Sequence, residues 1–186
     1  LRNKAAYALV DEKGVQEYCS EISPEHLIVC KDTEQGFLDL AGYYRNQFQF
    51  KMVGVTGSVG KTTTKEMIAQ VLSAQYETLK TQGNFNNRVG LPKTLFQLDN
   101  SIEAAVIEMG MNSFGEISDL TRRARPDAAV ITNIGVAHIE YLGSRAGILK
   151  AKMEIIEGMK EGSPLILNKD DDMLADLDCP QMKKIY

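Results

Sequence analysis

Short apolar runs alternate along this chain with segments whose apolar residues recur at helical spacing. The runs with strand character are residues 50–55, 77–80, 104–109, 128–132 and 164–167. Helices are predicted between them at 61–73, 91–97 and 113–124. Apolar strands separated by helices indicate a parallel sheet that is covered on both faces. The pattern therefore predicts an α/β fold.

A smaller group of elements precedes residue 46. Residues 5–10 and 27–30 are typical of short buried strands, and apolar side chains recur at helical spacing between Phe37 and Tyr44. The following stretch, 45–49, is polar. We expect it to link two units.

A glycine-rich loop follows the apolar run 50–55. Residues 54–63 read Gly-Val-Thr-Gly-Ser-Val-Gly-Lys-Thr-Thr and precede the helical segment. In a strand–loop–helix unit of this kind, backbone amides point at phosphate oxygens, Lys61 reaches the outer phosphates and Thr62 ligates Mg²⁺. The strict Walker spacing is absent, because Val55 occupies the position of its first glycine. A bare Gly-Lys-Thr is often an ordinary turn, but the flanking strand and helix favour nucleotide binding.

Two polar residues follow predicted strands, at the edge of the sheet where ligands gather. Glu108 ends the run 104–107, where it is a candidate Mg²⁺ ligand or a cap of the next turn. His138 follows the strand 128–132 and the turn after it. A lone histidine is often structural, so a site role and a structural role are both open for His138.

Two serines mark predicted helix starts. Ser113 with Glu116 is typical of a capping box, for a helix ending near Ala124. Ser144 can cap a helix that runs to about residue 159. In the middle of the apolar stripe of that second helix lies Lys152.

An inward-facing lysine must extend its amine to water, pair with an acid, or lose its charge. Extension to water is the ordinary outcome for Lys152. A neutral amine could instead react with CO₂ to form a carbamate, which is an anionic oxygen ligand. Lys150, two residues earlier, is expected to point away from the core.

Composition excludes several classes of protein. The chain has 186 residues, 44% of them apolar, and a net charge of −4, so no basic surface favours nucleic acid. We find no apolar run long enough for membrane insertion and no signal peptide. Three cysteines without metal-ligand spacing fit reduced thiols in a cytoplasmic protein. We expect a monomer.

The motifs together resemble the Mur ligase family. Residues 56–63 are similar to the ATP loop of these enzymes, which shares the departure from Walker spacing. Four later strings resemble the members that add D-Ala-D-Ala to UDP-MurNAc-tripeptide, and these are 83–92, 108–111, 132–138 and 151–152. The resemblance implies an ATP-dependent amide ligase of peptidoglycan precursor synthesis, in which the peptide carboxylate is phosphorylated and D-Ala-D-Ala attacks the acyl phosphate.

The resemblance also implies roles for individual residues. ATP is assigned to Thr56, Gly57, Ser58, Val59, Gly60, Lys61, Thr62 and Thr63. A first Mg²⁺ is assigned to Thr62 and Glu108, and a second to His138 and carbamylated Lys152. Lys61, His138 and Lys152 are the implied catalytic residues. Asn86, Asn87 and Arg88 match a stretch that contacts the UDP-sugar peptide, although Arg88 stands where an acidic residue is more usual.

By the same resemblance, residues 1–46 are the end of a small α/β domain that binds the UDP substrate. Residues 47–186 are the first part of the central ATP-binding domain. Because the chain starts at Leu1 and stops at Tyr186, we expect it to be an inactive fragment of a longer enzyme. Two alternatives remain, namely a sister ligase of the folylpolyglutamate synthase or MurT type and a nucleotide-binding module without ligase chemistry. The second would have no need of Lys152.

Overall fold

The first part of the chain forms a small parallel sheet of two strands. The computed structural model describes residues 5–18 and 20–186, so Leu1 and Cys19 lie outside the described residues, while Cys30 and Cys179 are free thiols. The elements of this first part are, in order, β1 (Ala8–Val10), α1 (Glu12–Tyr18), a 3-10 turn (Pro24–His26), β2 (Leu27–Val29) and α2 (Thr33–Arg45), and β1 pairs with β2.

The prediction that these first strands are buried is wrong. Ile28 and Val29 are 49% and 56% exposed. A sheet of two strands gives each strand one neighbour, and among residues 5–18 and 20–186 no layer covers these two side chains. The predicted helix between Phe37 and Tyr44 is confirmed as α2.

The second sheet has six parallel strands. They are β3 (Lys51–Thr56), β4 (Thr78–Lys80), β5 (Ala104–Glu108), β6 (Ala128–Ile131), β7 (Pro164–Leu167) and β8 (Lys183–Ile185), in the order β4-β5-β3-β6-β7-β8. The predicted parallel α/β sheet is confirmed. Because β3 lies between β5 and β6, the loop after β3 opens beside the ends of two neighbouring strands.

Helices cover this sheet. They are α3 (Lys61–Leu72), α4 (Gly90–Leu95), α5 (Glu116–Ala124), α6 (Ile139–Leu142) and α7 (Arg145–Met153), followed by a 3-10 helix (Glu154–Gly158). The larger apolar core includes Leu38 and Ala41 of α2, both fully buried. Helix α2 therefore packs with α4 and α5 on the larger sheet. The predicted domain boundary after residue 46 stays a prediction.

The helix predicted to run from residue 144 to 159 changes character at Glu154. Ser144 caps α7 as expected, since its side chain accepts a hydrogen bond from Gly147 N at 3.1 Å. Beyond Met153 the chain tightens into a 3-10 helix. The carbonyl of Ile155 there accepts a hydrogen bond from Thr121 Oγ1 at 2.6 Å. The 3-10 segment, which takes the place of the last predicted α-helical turns, is thus hydrogen-bonded to α5.

The capping box at residues 113–116 is only half formed. Glu116 accepts hydrogen bonds from Ser113 N at 3.2 Å and from Ser113 Oγ at 2.7 Å, but Gly115 is the residue that caps α5. Amides at the start of the helix find a partner outside the predicted capping box. Glu154 accepts hydrogen bonds from Gly115 N at 2.8 Å and from Ser118 N at 3.1 Å. The predicted end of α5 at Ala124 is confirmed.

Candidate functional site

The loop between β3 and α3 depends on two glycines with unusual backbone angles. Gly57 has φ +150°, and a Cβ there would lie 1.8 Å from Thr132 Oγ1. Gly60 has φ +79° and caps α3 in the left-handed conformation. Residues with side chains rarely adopt these angles. The glycine pattern is therefore required by the shape of the loop.

The segment after β6 holds this loop in place. Ser58 N donates to Asn133 O at 3.1 Å, and Val59 N donates to Asn133 Oδ1 at 3.0 Å. Thr132 Oγ1 donates to Val59 O at 2.6 Å, and Gly135 N donates to Ser58 Oγ at 2.9 Å. Sequence patterns alone assigned no individual role to Thr132, Asn133 or Gly135, which hold the loop here. Their position after a strand adjacent to β3 was the available signal.

The side chain of Lys61, the first residue of α3, folds back onto the loop. Its Nζ donates to Gly57 O at 2.9 Å and to Ser58 O at 3.4 Å. Burial lowers the pKa of this lysine, and the nearby carboxylate of Glu108 opposes the shift. The first amides of α3 have no partner within the helix, so an anion in the loop would meet both these amides and the ammonium group.

Thr62 and Glu108, which the sequence predicts to share a metal ion, are in direct contact. Thr62 Oγ1 donates to Glu108 Oε2 at 2.9 Å, and Glu108 is only 2% exposed. The other carboxylate oxygen accepts from Asn86 Nδ2 at 2.8 Å. The backbone N of Glu108 donates to Thr81 Oγ1 at 3.0 Å. Glu108 is thus held at the mouth of the glycine loop by three other residues, two of which contact its carboxylate.

The donor set fits Mg²⁺ shared with a nucleotide. A hydroxyl oxygen and a carboxylate oxygen are hard ligands of the kind Mg²⁺ prefers, and Mg²⁺ is usually held by one or two carboxylates plus substrate phosphates. Among the described residues, no group of three or more His, Cys, Asp or Glu side chains could hold a metal by itself. Thr62 and Glu108 therefore suit an ion that takes its remaining ligands from phosphate and water.

Lys152 lies inside the protein, as its helical position predicts. It is 3% exposed, whereas Lys150 is exposed. Burial, with a smaller contribution from the charge of Lys61, lowers the pKa of Lys152 to about 7. Within the described part of the chain, no acid pairs with its amine. Of the three outcomes open to an inward-facing lysine, partial loss of charge near neutral pH agrees with this pKa.

The other predicted residues differ in their surroundings. His138 is half-buried, has φ +66° and precedes α6, and no described contact joins its ring to Lys152. Thr56 is fully buried, and its hydroxyl donates to Met109 O at 2.9 Å. Thr63 is exposed in the first turn of α3. Their assignments to metal or ATP stay predictions.

The turn predicted to contact the peptide substrate is fixed within the fold. Asn87 Oδ1 accepts from Gly90 N at 2.8 Å, at the start of α4. Arg88 pairs with Asp119 of α5 at 3.0 Å and approaches Glu34 of α2 at 3.8 Å. Asn87 and Arg88 line a cavity of about 540 Å³, next to the start of α5. Their contact with substrate stays a prediction.

Comparison with known proteins identifies the family. The model of the Mur ligase middle domain matches residues 55–185. The UDP-N-acetylmuramoyl-tripeptide–D-alanyl-D-alanine ligase of Bacillus subtilis (strain 168) is 51% identical over 148 residues, which are 80% of this chain and 32% of that protein. The protein of the same name from Escherichia coli (strain K12) is 44% identical over 144 residues, which are 77% of this chain and 32% of that protein.

A solved structure of a MurF ligase is also similar to this chain. The crystal structure of MurF ligase from Thermotoga maritima in complex with ADP matches with a TM-score of 0.87 at 32% identity, over 98% of this chain and 41% of that one. This chain spans 32% of the length of each of the two curated relatives. Among the described residues, no helix is long and apolar enough to cross a membrane. The chain belongs to the Mur ligase family, with the middle domain of that family in residues 55–185.

Proposed function

We propose that this chain is the ATP-phosphate-binding part of a ligase that adds D-Ala-D-Ala to UDP-MurNAc-tripeptide in peptidoglycan precursor synthesis. The contact between Thr62 and Glu108 at the mouth of the glycine loop carries the proposal. The choice of substrates is supported by the two relatives named for them, at 51% and 44% identity. The proposal describes the full-length protein that contains this chain.

In this proposal the chain binds and orients the phosphates of ATP. The loop amides and the ammonium group of Lys61 contact the outer phosphates, where negative charge increases during phosphoryl transfer. Thr62 and Glu108 would hold Mg²⁺, which offsets the charge of the phosphates. The substrate carboxylate attacks the γ-phosphorus and ADP leaves. The amine of D-Ala-D-Ala then attacks the acyl phosphate, forming the amide and releasing phosphate.

Lys152 and His138 are proposed to serve a second Mg²⁺. With its pKa lowered to about 7, a large fraction of Lys152 is a neutral amine at neutral pH. A neutral amine adds to CO₂ and releases one proton, which leaves a carbamate anion. That change would convert a buried group that repels metal into an oxygen ligand. The charge of Lys61 contributes to the lowered pKa of Lys152, so Lys152 lies near the glycine loop, and this location supports the role.

Phosphate release by the full-length protein tests the proposed function. Phosphate release from ATP in the presence of Mg²⁺ should require both UDP-MurNAc-tripeptide and D-Ala-D-Ala. One amide product should form for each phosphate released. A sister ligase would instead respond to another acid and amine. A module without ligase chemistry would release no phosphate with any substrate pair, and either result would contradict the proposal.

A further inference from the structure

A second lysine of α3 is buried beside the proposed site. Lys65 is 0% exposed and lies one helical turn after Thr62. Its Nζ donates to Thr81 O at 2.7 Å and lies 3.0 Å from Glu66 Oε1, a carboxylate that is half exposed. Removing an ammonium group from water is costly, so a methionine or leucine would fill this space at lower cost. The contact with Thr81 is what an apolar side chain could not provide.

Thr81 joins this lysine to Glu108. It lies just after β4 and is fully buried. Its N donates to Val106 O at 3.0 Å, and its hydroxyl accepts from the backbone N of Glu108 at 3.0 Å. The carbonyl group of Thr81 is therefore fixed by Lys65, while its side chain fixes the end of β5.

These contacts close a ring of four residues. Thr62 and Lys65 are three residues apart on one face of α3. Thr62 contacts the side chain of Glu108, and Lys65 reaches the same residue through Thr81. Helix α3 is thus attached at two points to the strand end that carries Glu108. The Thr62–Glu108 hydrogen bond is one of these attachments, and the contact of Lys65 with Thr81 is the other.

We propose that Lys65 is a positioning residue for the metal site. Acting through Thr81, it sets the place of Glu108 relative to Thr62 and so sets the affinity of the site for Mg²⁺ in the presence of nucleotide. This role rests on the proposed function, in which Thr62 and Glu108 hold Mg²⁺. Mutation of groups that orient metal ligands typically lowers metal affinity or activity by about 10- to 100-fold.

The test measures the Mg²⁺ concentration that gives half-maximal phosphate release, using the full-length protein at saturating ATP and substrates. Lys65→Met and Thr81→Val should each raise this concentration by about tenfold. Two matched controls should leave it unchanged. Lys80→Met removes the other lysine paired with Glu66, at a more exposed position, and Thr81→Ser keeps the hydroxyl group.

Melting temperature separates positioning from simple stability. If Lys65→Met and Thr81→Val lower the melting temperature but keep the wild-type Mg²⁺ dependence, Lys65 is a structural residue and the inference is wrong. Should Lys65→Met fail to fold, Thr81→Val tests the hydroxyl link to Glu108 through which Lys65 acts, because it preserves the side-chain shape and buries no charge; a wild-type Mg²⁺ dependence there overturns the inference. Glu108→Gln tests the metal assignment itself. An unchanged Mg²⁺ dependence in Glu108→Gln would overturn both that assignment and the role of Lys65.

Discussion

At the scale of single residues, two buried lysines show different ways of accommodating an amine. Lys65 has a carbonyl group and a carboxylate as partners, whereas Lys152 lies beside another cation and its pKa falls to about 7. Helical spacing identified Lys152 from the sequence. The same spacing places Lys65 in line with Ile68, Ala69 and Leu72, so its burial follows from the sequence, whereas its contact with Thr81, sixteen residues away, does not.

Replacing Lys152 with methionine should stabilise the chain in a pH-dependent way. Between pH 7 and pH 10.5 the unfolded chain binds a proton at Lys152 that the folded chain lacks, so the stability of the wild type rises with pH in this window. Lys152→Met loses this dependence. At pH 7 it should be more stable than wild type by up to about 4 kcal/mol, and the gain should shrink toward pH 9.5.

Urea unfolding of the ligand-free chain at several pH values measures this difference. Lys150→Met is the matched control, because Lys150 is exposed on the same helix. Its difference from wild type should not change with pH. Parallel stability curves for wild type and Lys152→Met would mean that the buried amine keeps its charge in the folded chain.

At the scale of elements, the sequence predicted those parts whose own pattern decides their structure. The strands from β3 to β7 and helix α3 follow from apolar runs and helical spacing. Strand β8 was missed because Lys183 and Lys184 give it no apolar pattern, and pairing with β7 forms it. The 3-10 helix after Met153 was missed because its cause is a contact with Thr121, which lies far away in the sequence.

Gly158 permits the close contact between this 3-10 helix and α5. A Cβ at Gly158 would lie 2.0 Å from Thr121 O, a backbone atom that cannot rotate away. Gly158→Ala should therefore destabilise the chain by about 3 kcal/mol. Gly36→Ala is the control, since the nearest atom there is the side-chain sulfur of Cys30 at 3.2 Å and alanine favours the helix. Equal stability of the two variants, measured by urea unfolding, would contradict this packing.

At the scale of the whole molecule, α2 lies within residues 1–46 and packs against the helices of the larger sheet. The polar stretch 45–49 predicted a boundary there. Leu38 is nevertheless buried in the core of the larger sheet, and Arg123 of α5 pairs with Asp39 at 2.7 Å. Contacts of this kind join residues far apart in the chain, so a local pattern of polarity could not reveal them.

Leu38→Ala should destabilise the larger sheet together with α2. Removing a fully buried leucine typically costs about 2–5 kcal/mol, and we expect one unfolding transition to shift as a unit. Leu40 lies on the same helix but is 48% exposed, so Leu40→Ala should change the free energy of unfolding little. Circular dichroism and tyrosine fluorescence would follow the two variants in urea. A separate early transition, with the main transition unchanged, would show that α2 is an independent unit.

Phosphate chemistry at the glycine loop is tested most directly by Lys61→Ala in the full-length protein, assayed by phosphate release from ATP with both substrates. Within the part of the chain that the structure describes, Lys61 Nζ donates hydrogen bonds to two loop carbonyls and no others, so the variant should fold. Its rate should fall by at least about a hundredfold, because a charge that stabilises the transferring phosphoryl group is lost. Lys51→Ala, at the opposite end of β3, should keep the wild-type rate. A Lys61→Ala enzyme that works at the wild-type rate would contradict the assignment of ATP to this loop.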